Sequence, residues 1–225
     1  GGTTTGDTNI AIGVSAGDAL TSGNENIFIG TDAGGTTTAG THIVAIGRKA
    51  GEANITTDGS YSVFIGGFAG NQITSGIGNV AIGYAALDAE DDGDYNTAIG
   101  YEALTSQTGI SGTVGNTAVG YRAGYEVTSG KELTFIGYNA GLNNTSGLYN
   151  TAVGSNAFVT NVDGDENTAI GYAALYSFEP GNGEGKNVAV GSNASFHLDT
   201  GQFNTMVGAG AGQSSAGTIT YASNT

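Results

Sequence analysis

The chain contains no cysteine and no tryptophan, a single proline at Pro180, and only five basic residues among 225. Each shortage excludes something. Without cysteine there are no disulfide staples and no thiolate metal sites. The basic residues Arg48, Lys49, Arg122, Lys131 and Lys186 are too few and too scattered to form a phosphate-binding patch. Nucleic acid and anionic membrane surfaces are therefore poor partners. No run of 18 apolar residues exists, so no segment has the length of a membrane-spanning helix. Charged residues are only 11%, which argues against a charge-driven disordered chain.

What the chain has in excess is glycine, 42 residues, and acid, with a net charge of −15. The glycines do not recur every third residue, so a collagen triple helix is excluded. They recur instead in a longer unit. The motif N-[TIV]-[AF]-[IV]-G places its glycine at Gly13, Gly30, Gly47, Gly66, Gly83, Gly100, Gly120, Gly137, Gly154, Gly171, Gly191 and Gly208. Successive spacings are 17, 17, 19, 17, 17, 20, 17, 17, 17, 20 and 17 residues. The three longer units carry their additions in polar segments, at 53–61, 106–115 and 177–186, which read as surface loops. A period of this size marks a stacked repeat architecture.

The motif is short, β-branched and bounded by turn residues, so it predicts a strand. The residue before the glycine is always Ile or Val. Two before that, on the same strand face, is Ile or Val in six units and Thr in six. The residue between them is Ala in eight, Phe in three (Phe28, Phe64, Phe135) and Met206 in one. Both faces thus avoid charge, and a strand apolar on both faces asks for burial on both. One face lines the core of the coil; the other calls for a further layer, most simply another copy of the chain. Which face points inward is not determined by this pattern. Three residues after the glycine an alanine recurs in every unit, as in Ala33 and Ala86, implying a packed site. The variable residue between them (Ser15, Lys49, Phe68, Glu102, Arg122) is expected to face solvent. Apolar residues do not fall at helical spacing. The expectation is an all-β parallel β-solenoid of about twelve coils of 17–20 residues, a single repeat domain over 1–225. Stacking at the usual strand separation gives a rod on the order of 55–60 Å long.

Asn79-Val80-Ala81-Ile82-Gly83 and Asn96-Thr97-Ala98-Ile99-Gly100, with Ala86 and Ala103 after them, resemble the head repeat of YadA-like trimeric autotransporter adhesins. Related repeats are similar to those of phage and virus fibres. The resemblance covers all twelve units and implies a left-handed β-roll, association into trimers, and a place on a cell or virion surface or otherwise outside the cell. The departure is the period, 17 residues against a unit nearer fourteen in the family. On this reading the chain is a segment of a longer fibre protein.

Several residue sets are candidates for function. Tyrosine follows the motif glycine at Tyr84, Tyr101, Tyr121, Tyr138 and Tyr172, a stripe suited to a glycan or protein surface, or to packing against a neighbouring chain. Asp88, Glu90, Asp92 and Asp94, with Asp91 among them, resemble half a calcium loop, but Ile99 stands where the closing glutamate belongs. Calcium is the one cofactor that suggests itself, and solvated acidic loops are the bland alternative. Asn54, Asn143, Asn144 and Asn193 fit the N-glycosylation pattern. The motif asparagine, present in nine units, reads as turn chemistry rather than a site. Threonines such as Thr117 and Thr134 form a row that raises ice binding, although they share a face with Ile and Val. His42 and His197 lie in different units with no shared partner, and no carboxylate pair or nucleophile triad is recognisable. The expectation is a non-enzymatic fibre or adhesin segment that assembles with itself as a trimer and attaches to a glycan or protein surface. A purely architectural extracellular filament without a ligand is the alternative.

Overall fold

A computed structural model describes residues 6–53, 55–56, 60–108, 111–178, 185–198, 200–213 and 220–221. Its fold is all-β, with no helix among the described residues: a parallel β-solenoid of about 11 turns with a 17-residue period. The twelve motif strands are the boundaries of those turns. Contacts group the chain into two compact units, 1–115 and 116–225, within the span the sequence suggests as one domain.

The first unit carries β1 (Ile10–Ile12), β2 (Ile27–Ile29), β3 (Val44–Ile46), β4 (Val63–Ile65), β5 (Val80–Ile82), β6 (Gly93–Asp94), β7 (Thr97–Ile99) and β8 (Gly112–Thr113). The second carries β9 (Thr117–Val119), β10 (Thr134–Ile136), β11 (Thr151–Val153), β12 (Thr168–Ile170), β13 (Val188–Val190), β14 (Thr200–Gly201), β15 (Thr205–Val207) and β16 (Thr220–Tyr221). In each unit the six motif strands pair in parallel, each with its equivalent one coil on, so Ile27 faces Val44 and Thr134 faces Thr151. The register survives the longer units: Val44 pairs with Val63 and Thr168 with Val188. The added residues thus leave the strand pairing unchanged; within 106–115, which the sequence suggests is a surface loop, Gly112–Thr113 instead form the short strand β8. Short second pairs, β6 with β8 and β14 with β16, accompany the main stacks.

The inward face of the strand is its centre. Phe28, Ala45, Phe64, Ala81, Ala98, Ala118, Phe135, Ala152, Ala169 and Ala189 are all fully buried. The repeated alanine three residues after the glycine joins them, for example Ala33, Ala86 and Ala140. The Ile, Val and Thr that flank the strand centre point outward and stay half-exposed or exposed, with Ile136 and Ile170 each 39% exposed.

Core volume is balanced within the coil. Four residues after each motif glycine is a second inward position. Where the strand centre is Phe, that position is glycine: Gly34, Gly70 and Gly141 lie against Phe28, Phe64 and Phe135. The Phe28 and Phe64 rings also reach back one coil. A methyl group added at Gly17 lies 2.6 Å from Phe28, and one at Gly51 lies 2.8 Å from Phe64. Where the strand centre is Ala81, Ala98, Ala152 or Ala169, the second position holds Leu87, Leu104, Phe158 or Leu175, all fully buried. A phenyl ring thus fills two coils, which is why Phe28 and Phe64 are separated by Ala45 in register.

The repeat also fixes an unusual backbone. The motif glycines have φ between 127° and 141°, and a side chain at Gly47 or Gly137 would meet the next glycine's carbonyl at 2.5 Å. The residue two after the glycine adopts the left-handed region whatever its identity: Ser15, Asp32, Lys49, Phe68, Glu102, Arg122 and Asn139 have φ of 53°, 56°, 61°, 60°, 53°, 52° and 53°. These side chains are not uniformly solvated. Ser15 is exposed and Lys49, Phe68, Glu102 and Arg122 are half-buried, while Ala85 and Ala173, at the same position, are buried. Left-handed geometry costs an L-residue roughly 1–2 kcal/mol. It persists here because the backbone N–H groups bond between coils, Lys49 N–H to Thr31 O at 2.9 Å and Glu102 N–H to Tyr84 O at 2.9 Å.

Candidate functional site

The motif asparagine is structural. Asn79 is fully buried; its Oδ1 accepts the Asn96 N–H at 2.8 Å and its Nδ2 donates to the Gly93 carbonyl at 2.8 Å. The same pattern recurs at Asn26, whose Oδ1 accepts from Ile43 and whose amide donates to Gly40, and at Asn116 with Leu133 and Gly130. Each amide clamps the strand start of the next coil to its turn. Its function is to satisfy buried backbone groups, which are costly when unpaired.

The acidic stretch divides. Glu90 turns fully inside: its Oε1 accepts the N–H groups of Asp91 (3.0 Å), Asp92 (3.2 Å) and Gly93 (2.9 Å), and its Oε2 accepts the Gln107 amide. Asp94 Oδ1 accepts the Ile77 N–H at 2.8 Å. Asp88 and Asp92 are half-buried, each with one oxygen that accepts no hydrogen bond. Burial pushes the Asp88 carboxyl above its ordinary value. Burial also raises Asp92, as do its hydrogen bond with Asp91 and the charges of Asp91, Glu90 and Asp94. One oxygen each from Glu90, Asp91 and Asp92 lies within 4.8 Å of the others. Calcium takes six to eight oxygens; here one of three carboxylates is already engaged by backbone donors.

The tyrosines after the motif glycine are exposed, and four of them stack on a tyrosine of an adjacent coil. Tyr84 and Tyr101 have ring centroids 5.2 Å apart with planes at 18°, and Tyr121 and Tyr138 are 5.1 Å apart at 9°. Phe68 meets Tyr84 edge-on at 5.8 Å. Tyr172, 56% exposed, stands in a later coil whose neighbours carry Ser155 and Ser192 at this position. Stacked rings present edges and hydroxyls to solvent, because their inner faces are occupied by each other. A sugar that needs an open ring face does not find it between two stacked rings.

A second column of large exposed side chains lies outside the motif, where the repeat pattern gives no sign of it. It sits five residues before the glycine, again in the left-handed region: His42, Tyr61, Tyr95, Tyr149 and Phe203 have φ of 60°, 62°, 61°, 58° and 58°. His42 stacks on Tyr61 at 4.7 Å and pairs with Glu25 at 2.9 Å. Lys186 in the same column approaches Glu166 at 3.6 Å and lies over Phe203 at 5.5 Å. The signal available in the sequence is glycine at the same position, Gly78 and Gly115, with φ of 66°. Gly78 is overlaid by the Tyr95 ring, so a methyl group there would lie 2.9 Å away. These two columns border the outward Ile, Val and Thr of the strands on either side.

Most of the cations are occupied within the chain: Arg48 lies over Phe68 at 4.3 Å, Lys49 pairs with Glu52 at 2.9 Å, and Arg122 lies over Tyr125 at 4.9 Å. His197 packs edge-on to Phe196 at 4.5 Å, in the second unit, whereas His42 belongs to the first. Among the glycosylation candidates, Asn54 lies outside the described residues. Asn144 is fully buried and donates to the Gly147 carbonyl, whereas Asn143 and Asn193 are half-exposed. Comparison with known proteins finds no matching family model, no similar curated protein and no similar solved structure.

Proposed function

We propose that the chain is a non-enzymatic segment of an extracellular fibre or adhesin, in which copies associate side by side through the outward strand face. The observation that carries this reading is the composition of that face. In every coil its two strand positions are Ile, Val or Thr, never charged, and in the single chain they remain half-exposed or exposed. A protein with net charge −15 that keeps such a strip free of charge reserves it for contact. The YadA-like repeat resemblance favours three copies. The bordering tyrosines, with the loops, would then meet a glycan or protein surface at the edge of the assembly.

The test is substitution on the strip. Ile136→Lys with Ile170→Lys should dissociate the assembly while circular dichroism stays β-rich; Ser146→Lys, on an exposed loop, should leave it intact. Equal association of all three proteins would overturn the proposal. For attachment, Tyr101→Ala with Tyr121→Ala should weaken surface binding without changing assembly, and unchanged binding removes the tyrosines from the account.

A further inference from the structure

We propose that the stacked tyrosine pairs Tyr84–Tyr101 and Tyr121–Tyr138 are sites of oxidative dityrosine cross-linking that staple neighbouring coils of one chain to each other. Each pair joins consecutive coils, with near-parallel rings 5.2 Å and 5.1 Å apart. All four rings are exposed at the surface, between 37% and 52%. They follow the motif glycine, whose position in the stack is fixed, so the pairing is built into the repeat.

The chemistry balances with one oxidant. A heme peroxidase acting with hydrogen peroxide removes one electron and one proton from each phenol, and the peroxide is reduced to two waters. The two phenoxyl radicals couple through ring carbons ortho to the oxygens, forming one carbon–carbon bond. Each new sp3 carbon then returns its proton to its own oxygen, which restores two phenols. The net loss is two hydrogens per linked pair. A radical on a lone surface tyrosine must wait for a second chain. On a stacked pair the second ring is already in contact, an advantage of proximity.

The chain supplies its own controls. Tyr61, Tyr95, Tyr149 and Tyr172 are more exposed, between 53% and 63%. Tyr61 stacks on a histidine, and among the described residues the other three have no stacked tyrosine beside them. If exposure governed coupling, these four would react at least as well.

The experiment treats an equal mixture of isotopically light and heavy chains with heme peroxidase and hydrogen peroxide, and sequences the linked peptides by mass spectrometry. The expected result is linkage of Tyr84 to Tyr101 and of Tyr121 to Tyr138, light with light and heavy with heavy, at a yield independent of protein concentration. Tyr101→Phe with Tyr121→Phe keeps the rings but removes one phenol from each pair, and it should abolish the links while dichroism is unchanged. Mixed light–heavy peptides, comparable linkage at Tyr61, Tyr95, Tyr149 and Tyr172, or links that persist at these sites in the double variant would overturn the proposal.

Discussion

Replacing Phe64 with alanine probes the volume rule that organises the core. Phe64 is fully buried, and it is flanked in its own coil and the preceding one by Gly70 and Gly51, which have no side chains to move into a void. Phe-to-Ala changes cost about 3–5 kcal/mol, depending on how far the site collapses. Here the strands on both sides are held in register with Val44–Ile46 and Val80–Ile82, so the cost should fall near the top, about 4–5 kcal/mol. Gly70→Leu alone should also destabilise, because its side chain is driven into the Phe64 ring. Combined, the two changes recreate the next coil, where Ala81 faces inward with Leu87 at φ 53°. Burying the leucine returns roughly 1.5–3 kcal/mol, and the left-handed backbone takes back about 1–2 kcal/mol. Gly70→Leu should therefore change sign, from harmful in the parent to stabilising by about 1 kcal/mol in the Phe64→Ala background. Urea unfolding followed by circular dichroism measures all four proteins. Equal cost of Gly70→Leu in both backgrounds would refute the reasoning, since it would mean that the glycines answer only to backbone conformation.

Asn79→Ala removes the side-chain partner of the Asn96 N–H and of the Gly93 carbonyl and should cost about 2–6 kcal/mol in urea unfolding, at about 1–3 kcal/mol per buried orphan. Asp88→Asn should raise the unfolding midpoint at neutral pH. The folded Asp88 pKa lies above its ordinary value of 3.8, so its favourable contribution is complete below 3.8 and is lost as pH rises through the raised value. The benefit of the substitution should accordingly vanish in midpoints measured below that pH. Glu90→Leu should be among the most disruptive single changes in the acidic stretch, because it orphans the Asp91, Asp92 and Gly93 N–H groups, whereas Asp91→Asn, at an exposed position, should alter the thermal midpoint little.

The coil itself is legible in the amino-acid sequence. Twelve glycines at a nearly constant spacing define the repeat, and the β-branched residues before them define the strand. The inner face is not legible in the same way, because Ala81 and Ile82 are both apolar; burial resolves it in favour of the smaller residue, as a thin coil requires. A clue lies in the sequence all the same: Phe28, Phe64 and Phe135 occur only where Gly34, Gly70 and Gly141 follow. Glu90 resembles a cation ligand because turn acids usually face water, but its position in the coil is an interior one that Gln107, Asn144 and Asn161 also occupy. The column of Tyr61, Tyr95 and Tyr149 lies outside the motif and is marked in the sequence only by Gly78 and Gly115 at the equivalent position, because left-handed backbone at bulky residues has no local signature of its own. It is imposed by hydrogen bonds between coils, such as Tyr95 N–H to Ile77 O.

The most direct test of the central claim is the native mass of the intact chain in dilute, near-physiological solution. Association through the outward strand face predicts a discrete particle of a few copies, three on the repeat resemblance, that reverts to single chains with Ile136→Lys and Ile170→Lys. A wild-type chain that remains a monomer at every concentration would contradict it.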